Sequence, residues 1–146
     1  MDPGDIILIH QLLGLYGHVV DAAAWDRFEE LFVSDAELDY TGVRAPRVFR
    51  GVDDIREYFR GANHPSAHHV TNIVVFEGDG DVHVRSKFLA PYTRSTHVPV
   101  RWFGGDYDDV VVRTPEGWRF RRRVCTSRWQ FTPGDEHDVP EHRRAW

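Results

Sequence analysis

The sequence is poor in the features that mark several large classes of protein. Its only cysteine is Cys125, which excludes an intramolecular disulfide framework and a thiolate metal cluster and fits a reducing compartment. No apolar run approaches the ~18 residues that a membrane-spanning helix needs, and residues 1–5 lack the basic region of a signal peptide. We therefore expect a cytoplasmic protein with no membrane partner.

Positive charge is also scarce. The chain has 18 basic and 23 acidic residues and a formal net charge of −5, whereas nucleic-acid binders need a basic footprint to bind phosphates. The three consecutive arginines at 121–123 do not form such a footprint, because successive side chains of a strand point to opposite faces. No nucleic-acid partner is expected.

The length and composition are those of one globular domain. The 146 residues can bury a core that is stable without cross-links, so we expect a single domain over 1–146. Aromatic residues, at 13%, are somewhat frequent, which fits either a well-filled core or a roomy pocket. Residues 132–146 are charged and contain prolines, and they are expected to form a C-terminal tail. The sequence has no internal repeats.

Three helices are predicted in the first half of the chain. Asp2 and Pro3 form a helix start, and apolar residues at three-and-four spacing continue the first helix over roughly 4–21. The same spacing predicts a short second helix over residues 24–32. A third helix, capped by Asp53 or Asp54, is stopped by glycine, asparagine and proline at 61–65.

The second half reads as β-strands. Residues 36–40 already alternate with period two, and longer strands are predicted over 69–77, 82 to about 96, about 98–113 and 118 to about 131. Turns rich in glycine separate them at 78–81 and 114–117. Residues of even number from Val82 to Tyr92, including Phe88, form the predicted inner face. This order predicts an α+β fold in which a curved antiparallel sheet wraps over the helices and encloses a cavity.

A pair of histidines opens the first long strand. A histidine at this position is a natural general base, because its unperturbed pKa of about 6.5 is close to neutral pH. Period two places His68 and His69 on opposite faces, and we expect His69 to face the cavity and His68 the solvent. With His64 they could form a metal site, but no cysteine and no regularly spaced carboxylate accompanies them, so neither a metal nor a cofactor is expected.

Several short motifs, taken in order, resemble a known family. They are Val20-Asp21, Trp25-Asp26, Leu38-Asp39-Tyr40, His69 before an apolar strand, Gly117-Trp118-Arg119-Phe120 and Arg128-Trp129. Over roughly residues 5 to 131 the chain resembles the SnoaL-like members of the NTF2-like superfamily, the cone-shaped α+β barrels. Within that superfamily it is most similar to scytalone dehydratase and the bile acid 7α-dehydratases.

The resemblance implies a set of catalytic residues. In those dehydratases an aspartate at the end of the first helix pairs with a histidine at the start of a strand, and Asp21 and His69 stand at the matching places. Tyr16 and Tyr40 match tyrosines that hydrogen-bond the substrate carbonyl. Tyr92 stands where the scytalone enzyme has a second catalytic histidine, and it is the candidate acid.

The resemblance also implies substrate-binding residues. Val20 replaces a tyrosine of the scytalone enzyme, and Asp108 falls near a pocket-lining asparagine of that enzyme. Trp102 shares the strand face of Asp106 and Asp108, so these residues line the cavity if that face is inward. A pairing of Asp106 and Asp108 with the arginines of the last strand is the alternative. Phe88 and Trp129 complete the expected lining.

The resulting hypothesis is a cofactor-independent lyase, cyclase or isomerase acting on an apolar polycyclic or polyketide-like carbonyl compound. His69, held by Asp21, would abstract the proton next to the carbonyl, and the tyrosines would stabilise the enolate. The alternatives are a non-catalytic binding or assembly module, and an epoxide or lactone hydrolase, which needs a second acid such as Asp106 or Asp108. The resemblance also implies a homo-oligomer, either a dimer or a trimer.

Overall fold

The computed structural model describes residues 1–65, 67–92 and 100–132. The helices are α1 (Pro3–Asp21), a short 3₁₀ helix (Trp25–Glu30) and α2 (Val52–Gly61). The strands are β1 (Phe32–Gly42), β2 (Val48–Arg50), β3 (His69–Gly78), β4 (Asp81–Tyr92), β5 (Arg101–Thr114) and β6 (Gly117–Phe131). The predicted α+β class with three helices is confirmed.

Helix α1 begins and ends close to its predicted limits. The Asp2 side chain accepts a hydrogen bond from the Gly4 N–H at 2.7 Å, which satisfies one of the free donors of the first turn. One face of the helix is buried against the sheet, and Tyr16 is the largest side chain on that face. Asp21 is the last helical residue, so its carboxylate lies at the C-terminal end of α1.

The other two helices differ in detail from the prediction. The second is a six-residue 3₁₀ helix. It is shorter than predicted because Phe32, the last residue of the predicted helix, is already the first residue of β1 and is buried in the core. Gly51, with a φ of 86°, precedes α2 instead of an aspartate cap. The Asp54 carboxylate accepts hydrogen bonds from the Arg47 guanidinium and the Arg50 N–H. It therefore binds the segment around β2 and does not cap the helix.

The sheet is mixed, which corrects the expectation of an antiparallel one. Its strand order is β2-β1-β6-β5-β4-β3, and β1 runs parallel to β6 while the other neighbours are antiparallel. The parallel pair forms because the chain crosses from one edge of the sheet to the other through α2 before it returns. As a result, the ends of β1, β4 and β6 and the start of β5 meet at one end of the sheet.

The inner face of β4 agrees with the prediction, but that of β5 does not. Ser86 and Phe88 are buried, whereas Lys87 is exposed. On β5 the residues of odd number face inward, because Tyr107 and Asp109 are buried. The inward placement of Trp102, Asp106 and Asp108 is therefore wrong. Asp106 instead pairs with Arg128 of the last strand, as the alternative reading expected, whereas Asp108 pairs with Arg85 of β4.

Some predictions fall outside the described residues. These are the extension of β4 past residue 92 and most of the tail over 132–146. The single domain over 1–146 and the homo-oligomer stay predictions. Within the described residues, no helix is long and apolar enough to cross a membrane.

Candidate active site

The concave side of the sheet and the helices enclose a cavity of about 860 Å³. Its inner lining is aromatic and includes Tyr16, Tyr40, Phe59 and Tyr107. His68 also lines it. A cavity of this size and composition is typical of a small-molecule site.

A hydrogen-bonded pair of Asp21 and His68 lies at the edge of the cavity. The Nδ1 atom of His68 is 2.5 Å from Oδ1 of Asp21, and the His68 backbone N–H donates to Oδ2 at 2.8 Å. Because a carboxylate only accepts, Nδ1 carries the proton and the lone pair of the neutral ring is on Nε2. Asp21 itself is behind His68 and outside the described lining. The pair can therefore present one proton-accepting nitrogen to a bound molecule.

The histidine of this pair is His68, which corrects the expectation that His69 occupies this place. Strand β3 begins at His69, whose side chain is exposed, while the half-buried Val70 shares the inner face with His68. Gly17 of α1 lies next to this segment: a Cβ there would be in ordinary contact, at 3.4 Å, with the His68 carbonyl oxygen. His68 therefore lies against the end of α1, and His69 faces the solvent.

Burial and the neighbouring charges act in opposite directions on the imidazole. Burial lowers the pKa of His68 below its ordinary value, and the Asp21 carboxylate opposes this shift. The lowering prevails, with a further small contribution from the Arg123 cation. His68 is therefore neutral near pH 7, which is the form required of a general base.

Three tyrosines form a connected group inside the cavity. The hydroxyls of Tyr16 and Tyr40 are hydrogen-bonded to each other, and Tyr107 interacts with Tyr40. Burial raises the pKa of Tyr16 to about 12, although the Arg123 cation lowers it. Burial likewise raises the pKa of Tyr40 and that of Tyr107. All three therefore remain protonated at neutral pH, and a hydroxyl of this group can donate to a substrate oxygen.

A buried ion pair lies next to the tyrosines. Nε and Nη2 of Arg123 donate to the two carboxylate oxygens of Asp109 at 2.8 Å each, and both side chains are fully buried. The guanidinium carbon is 4.1 Å from the ring centroids of Tyr16, Tyr107 and Phe120. This geometry places a permanent positive charge against the rings of the tyrosine group.

The sequence offered little to identify Arg123, Asp109 and Tyr107 as site residues. A register shift between Val110 and Val111 inserts an extra residue into β6, so that Arg123 falls on the inner face with Phe120. A strict period of two would place them on opposite faces. The only pattern that could have identified two of them is the alternation along β5. If its odd-numbered residues are taken as the inner face, Tyr107 and Asp109 point into the molecule.

The remaining predicted residues divide into two groups. Tyr92, Phe88 and Trp129 line the cavity, and Tyr92 makes an edge-to-face contact with Phe103 at 5.9 Å. Val20, Trp102 and Asp108 lie outside the described lining. Val20 is buried in the core and Trp102 is half-buried, whereas Asp108 is exposed and paired with Arg85 at 3.0 Å. The prediction that these three residues bind the substrate is therefore corrected. For Trp102 and Asp108 the reason is that the odd-numbered, and not the even-numbered, residues of β5 face inward.

Two adjacent glycines on β5 make room for aromatic side chains of the lining. A Cβ at Gly104 would lie 2.2 Å from the Trp129 ring, and one at Gly105 would lie 2.7 Å from the Phe88 ring. The glycine pair therefore allows Trp129 and Phe88 to lie against the sheet. Among the described residues there is no cluster of three or more side chains suited to hold a metal ion.

A curved sheet closed by helices around an aromatic cavity defines the class of cone-shaped, NTF2-like α+β folds. Residues 5–124 match the family model of the SnoaL-like domain. The chain belongs to this family.

Similar proteins support this assignment. The uncharacterized protein Rv2910c of Mycobacterium tuberculosis is 30% identical over 134 residues, which are 86% of this chain and 87% of that protein. The crystal structure of a candidate scytalone dehydratase from Novosphingobium aromaticivorans is 25% identical with a TM-score of 0.76, covering 96% of this chain and 95% of that one. A hexachlorocyclohexane dehydrochlorinase, LinA type 2, is 15% identical and shares the fold with a TM-score of 0.77 over 94% and 95% of the two chains.

Proposed function

We propose that this protein is a cofactor-independent lyase or isomerase that removes a proton next to a substrate carbonyl. The observation that carries the proposal is the hydrogen-bonded Asp21–His68 pair at the edge of the cavity. Membership of the SnoaL-like family and the fold shared with a candidate scytalone dehydratase support an enzyme of this general type. The finer proposal is a dehydration or cyclisation of an apolar, ring-containing carbonyl compound.

The first step is the abstraction of a proton by His68. Nε2 of the neutral ring takes the proton from the carbon next to the carbonyl, and the electron pair of the broken C–H bond forms the C=C bond of an enolate. The imidazolium that results is stabilised by the Asp21 carboxylate, which keeps its own negative charge. Asp21 acts through His68, so it is a positioning residue.

The negative charge that develops on the carbonyl oxygen needs hydrogen-bond donors. The hydroxyls of Tyr16 and Tyr40 lie in the cavity lining and are protonated; one of them donates within the tyrosine group, and the free O–H of the group would donate to this oxygen. The Arg123 cation, held by Asp109, lies over the Tyr16 ring and favours negative charge nearby. Such preorganised donors commonly contribute a factor of about 10²–10³ to the rate.

The second step depends on the substrate. In a β-hydroxy ketone the enolate collapses, the C–O bond of the β-hydroxyl breaks, and the proton on Nε2 of His68 passes to the leaving oxygen, so that water departs and the base is restored. In an isomerisation the same proton returns to a different carbon. Tyr92 lines the same cavity and is an alternative proton donor to the leaving group; the proton on Nε2 of His68 would then pass to the Tyr92 oxygen, so that both groups are restored.

The alternatives from the sequence fit the geometry less well. A binding module without chemistry would not need the Asp21–His68 pair within hydrogen-bond distance beside an open cavity. A hydrolase of the proposed kind needs a second acid in the cavity. Asp106 instead pairs with Lys87 and Arg128, and Asp108 pairs with Arg85, on the outer face of the sheet.

The first prediction concerns the two histidines, and it uses proton exchange because this does not require knowing the leaving group. We expect the protein to catalyse hydrogen–deuterium exchange at the α-carbons of 2-tetralone in D₂O, followed by NMR. His68→Ala should lower this rate by roughly 10²–10⁴-fold, which is the usual contribution of a general base. Scytalone is the first compound to test for dehydration, followed by ultraviolet absorbance.

The matched control is His69→Ala, since this residue is adjacent but exposed. It should exchange 2-tetralone at the wild-type rate. A His68→Ala protein that is folded by circular dichroism and keeps wild-type exchange would reject the proposed base. An equal loss in the His69→Ala protein would show that the strand, and not the Asp21–His68 pair, is responsible.

A further inference from the structure

Two arginines of the cavity lining lack the partners that the other described arginines have. Arg44 and Arg101 line the cavity and are exposed. Neither makes an ion pair or a side-chain hydrogen bond with any residue in the described ranges. Every other arginine there does so, mostly with a carboxylate.

The described lining of the cavity is poor in negative charge although the chain is acidic. The whole sequence has 23 acidic and 18 basic residues, yet no aspartate or glutamate is among the described lining residues. Arg128 also belongs to the lining, but its guanidinium is bound to Asp106 at 2.5 Å. A concave site with uncompensated cations concentrates positive potential and attracts anions.

The topology brings Arg44 and Arg101 to the same end of the sheet. Arg44 follows the end of β1 by two residues, and Arg101 is the first residue of β5. β6 lies between these strands, and Gly42 and Asp106 are both level with Thr126 of β6, so Arg101 lies further out along the sheet than the end of β1. Arg101 shares its strand face with Phe103 and Tyr107, which also line the cavity. Both guanidinium groups therefore contribute positive charge to the rim of the same cavity.

We propose that the substrate carries an anionic group, a carboxylate or a phosphate, that Arg44 and Arg101 bind at the rim of the cavity. The carbonyl end of the same molecule then extends inward to Tyr40 and His68. A guanidinium group suits both anions because its donors match their paired oxygens. The assignment of the inner end rests on the proposed function, whereas anion selectivity is a separate property of binding.

The second prediction tests this selectivity with three ligands that share a naphthalene ring. They are 2-naphthoate, 2-naphthyl phosphate and the neutral 2-naphthamide, and their dissociation constants are measured by calorimetry at two salt concentrations. We expect the wild-type protein to bind at least one anion about tenfold or more tightly than the amide, a difference of about 1.4 kcal/mol. Higher salt should weaken only the anion.

The variant to compare is Arg44→Gln/Arg101→Gln, and the control is Arg60→Gln. Arg60 is exposed on α2, outside the described lining, and pairs with Glu57. The double variant should bind anion and amide equally, while the control should keep the wild-type preference. Circular dichroism checks that all three proteins are folded.

Each outcome decides the proposal. Preference for the naphthoate assigns a carboxylate, and preference for the naphthyl phosphate assigns a phosphate. The proposal is overturned if the amide binds as tightly as both anions, if neither anion binds, or if the double variant keeps the preference. Failure of the wild-type protein to exchange 2-tetralone would reject the proposed function without affecting these binding results.

Discussion

Asp21 holds His68 through two atoms of the same residue, the ring Nδ1 and the backbone nitrogen. This double contact fixes the position of the chain just before β3 as well as the orientation and tautomer of the ring. A single hydrogen bond to the ring would leave the backbone free to move it. The Asp21 carboxylate, which is outside the described lining, therefore determines which nitrogen His68 presents to the cavity.

The third prediction concerns pH and follows from the lowered pKa of His68. The neutral ring is the base, so the exchange rate of 2-tetralone should rise with pH through the pKa of His68 and be level at pH 7. Because burial lowers that pKa, the midpoint of the rise should lie below the ordinary value of 6.5. A midpoint above 6.5 would contradict this.

The Asp21→Asn variant tests whether Asp21 positions the His68 ring or only supports the fold. The carboxylate raises the pKa of His68, so its removal should move the midpoint of the exchange profile to lower pH. The plateau should fall as well, because an amide can also stabilise the wrong tautomer. An unchanged midpoint with a lower plateau would indicate that Asp21 only supports the fold.

At the scale of elements, the shape of the cavity depends on close contacts between β5 and its neighbours. Gly104 and Gly105 lie where β5 pairs with the end of β6, at a register shift between the two strands. The Trp129 ring occupies the space that a side chain at Gly104 would need. The aromatic wall of the cavity is thus a consequence of how two strands pair.

The fourth prediction compares two glycine-to-alanine changes. In Gly105→Ala the new Cβ would be 2.0 Å from the Thr126 carbonyl oxygen, which is backbone and cannot move aside. We expect the free energy of unfolding to fall by about 1–3 kcal/mol or more, measured in urea. Gly14→Ala is the control: nothing lies within 4 Å of its Cβ, and alanine favours the helix by about 1 kcal/mol. A stable Gly105→Ala protein would show that β5 and β6 can separate without cost.

At the scale of the whole molecule, one buried ion pair belongs both to the core and to the candidate site. Arg123 and Asp109 join β6 and β5 on the inner face, and the guanidinium lies against the Tyr16 ring of α1. Removing two charges from water is costly, and hydrophobic residues often replace such pairs without loss of stability. The pair is therefore better explained by the charge that it supplies to the tyrosines than by stability alone.

The fifth prediction separates these two roles. Arg123→Met leaves the Asp109 carboxylate buried without its partner and should reduce the free energy of unfolding by about 3–5 kcal/mol. Arg123→Met/Asp109→Leu should recover most of this stability, measured in urea. The double variant should still exchange 2-tetralone about tenfold or more slowly than the wild type. Full recovery of exchange would show that the charge has no part in the chemistry.

Local sequence patterns predicted most of the helices and strands, and their order predicted the family. The cap and apolar spacing of α1, the glycine turns and the alternation along β4 are local patterns, and local patterns survive in the fold because each follows from one helix or one strand. Asp21, Tyr16 and Tyr40 were identified through the resemblance, which matches them to family positions by their order along the chain. The resemblance to SnoaL-like proteins rested on the order of such motifs.

Which faces of the helices and strands meet depends on contacts between distant segments, and these contacts are visible only in the folded molecule. Period two separates His68 from His69 but does not say which one faces α1, and the same uncertainty placed Asp108 inward in place of Asp109. The extra residue in β6 that turns Arg123 inward is specified by pairing with β5, and such pairing is not encoded in either strand alone. The identity of the proposed base and of the cation beside the tyrosines therefore depended on how distant segments pack, while a carboxylate, a histidine and two tyrosines were already candidates from the chain.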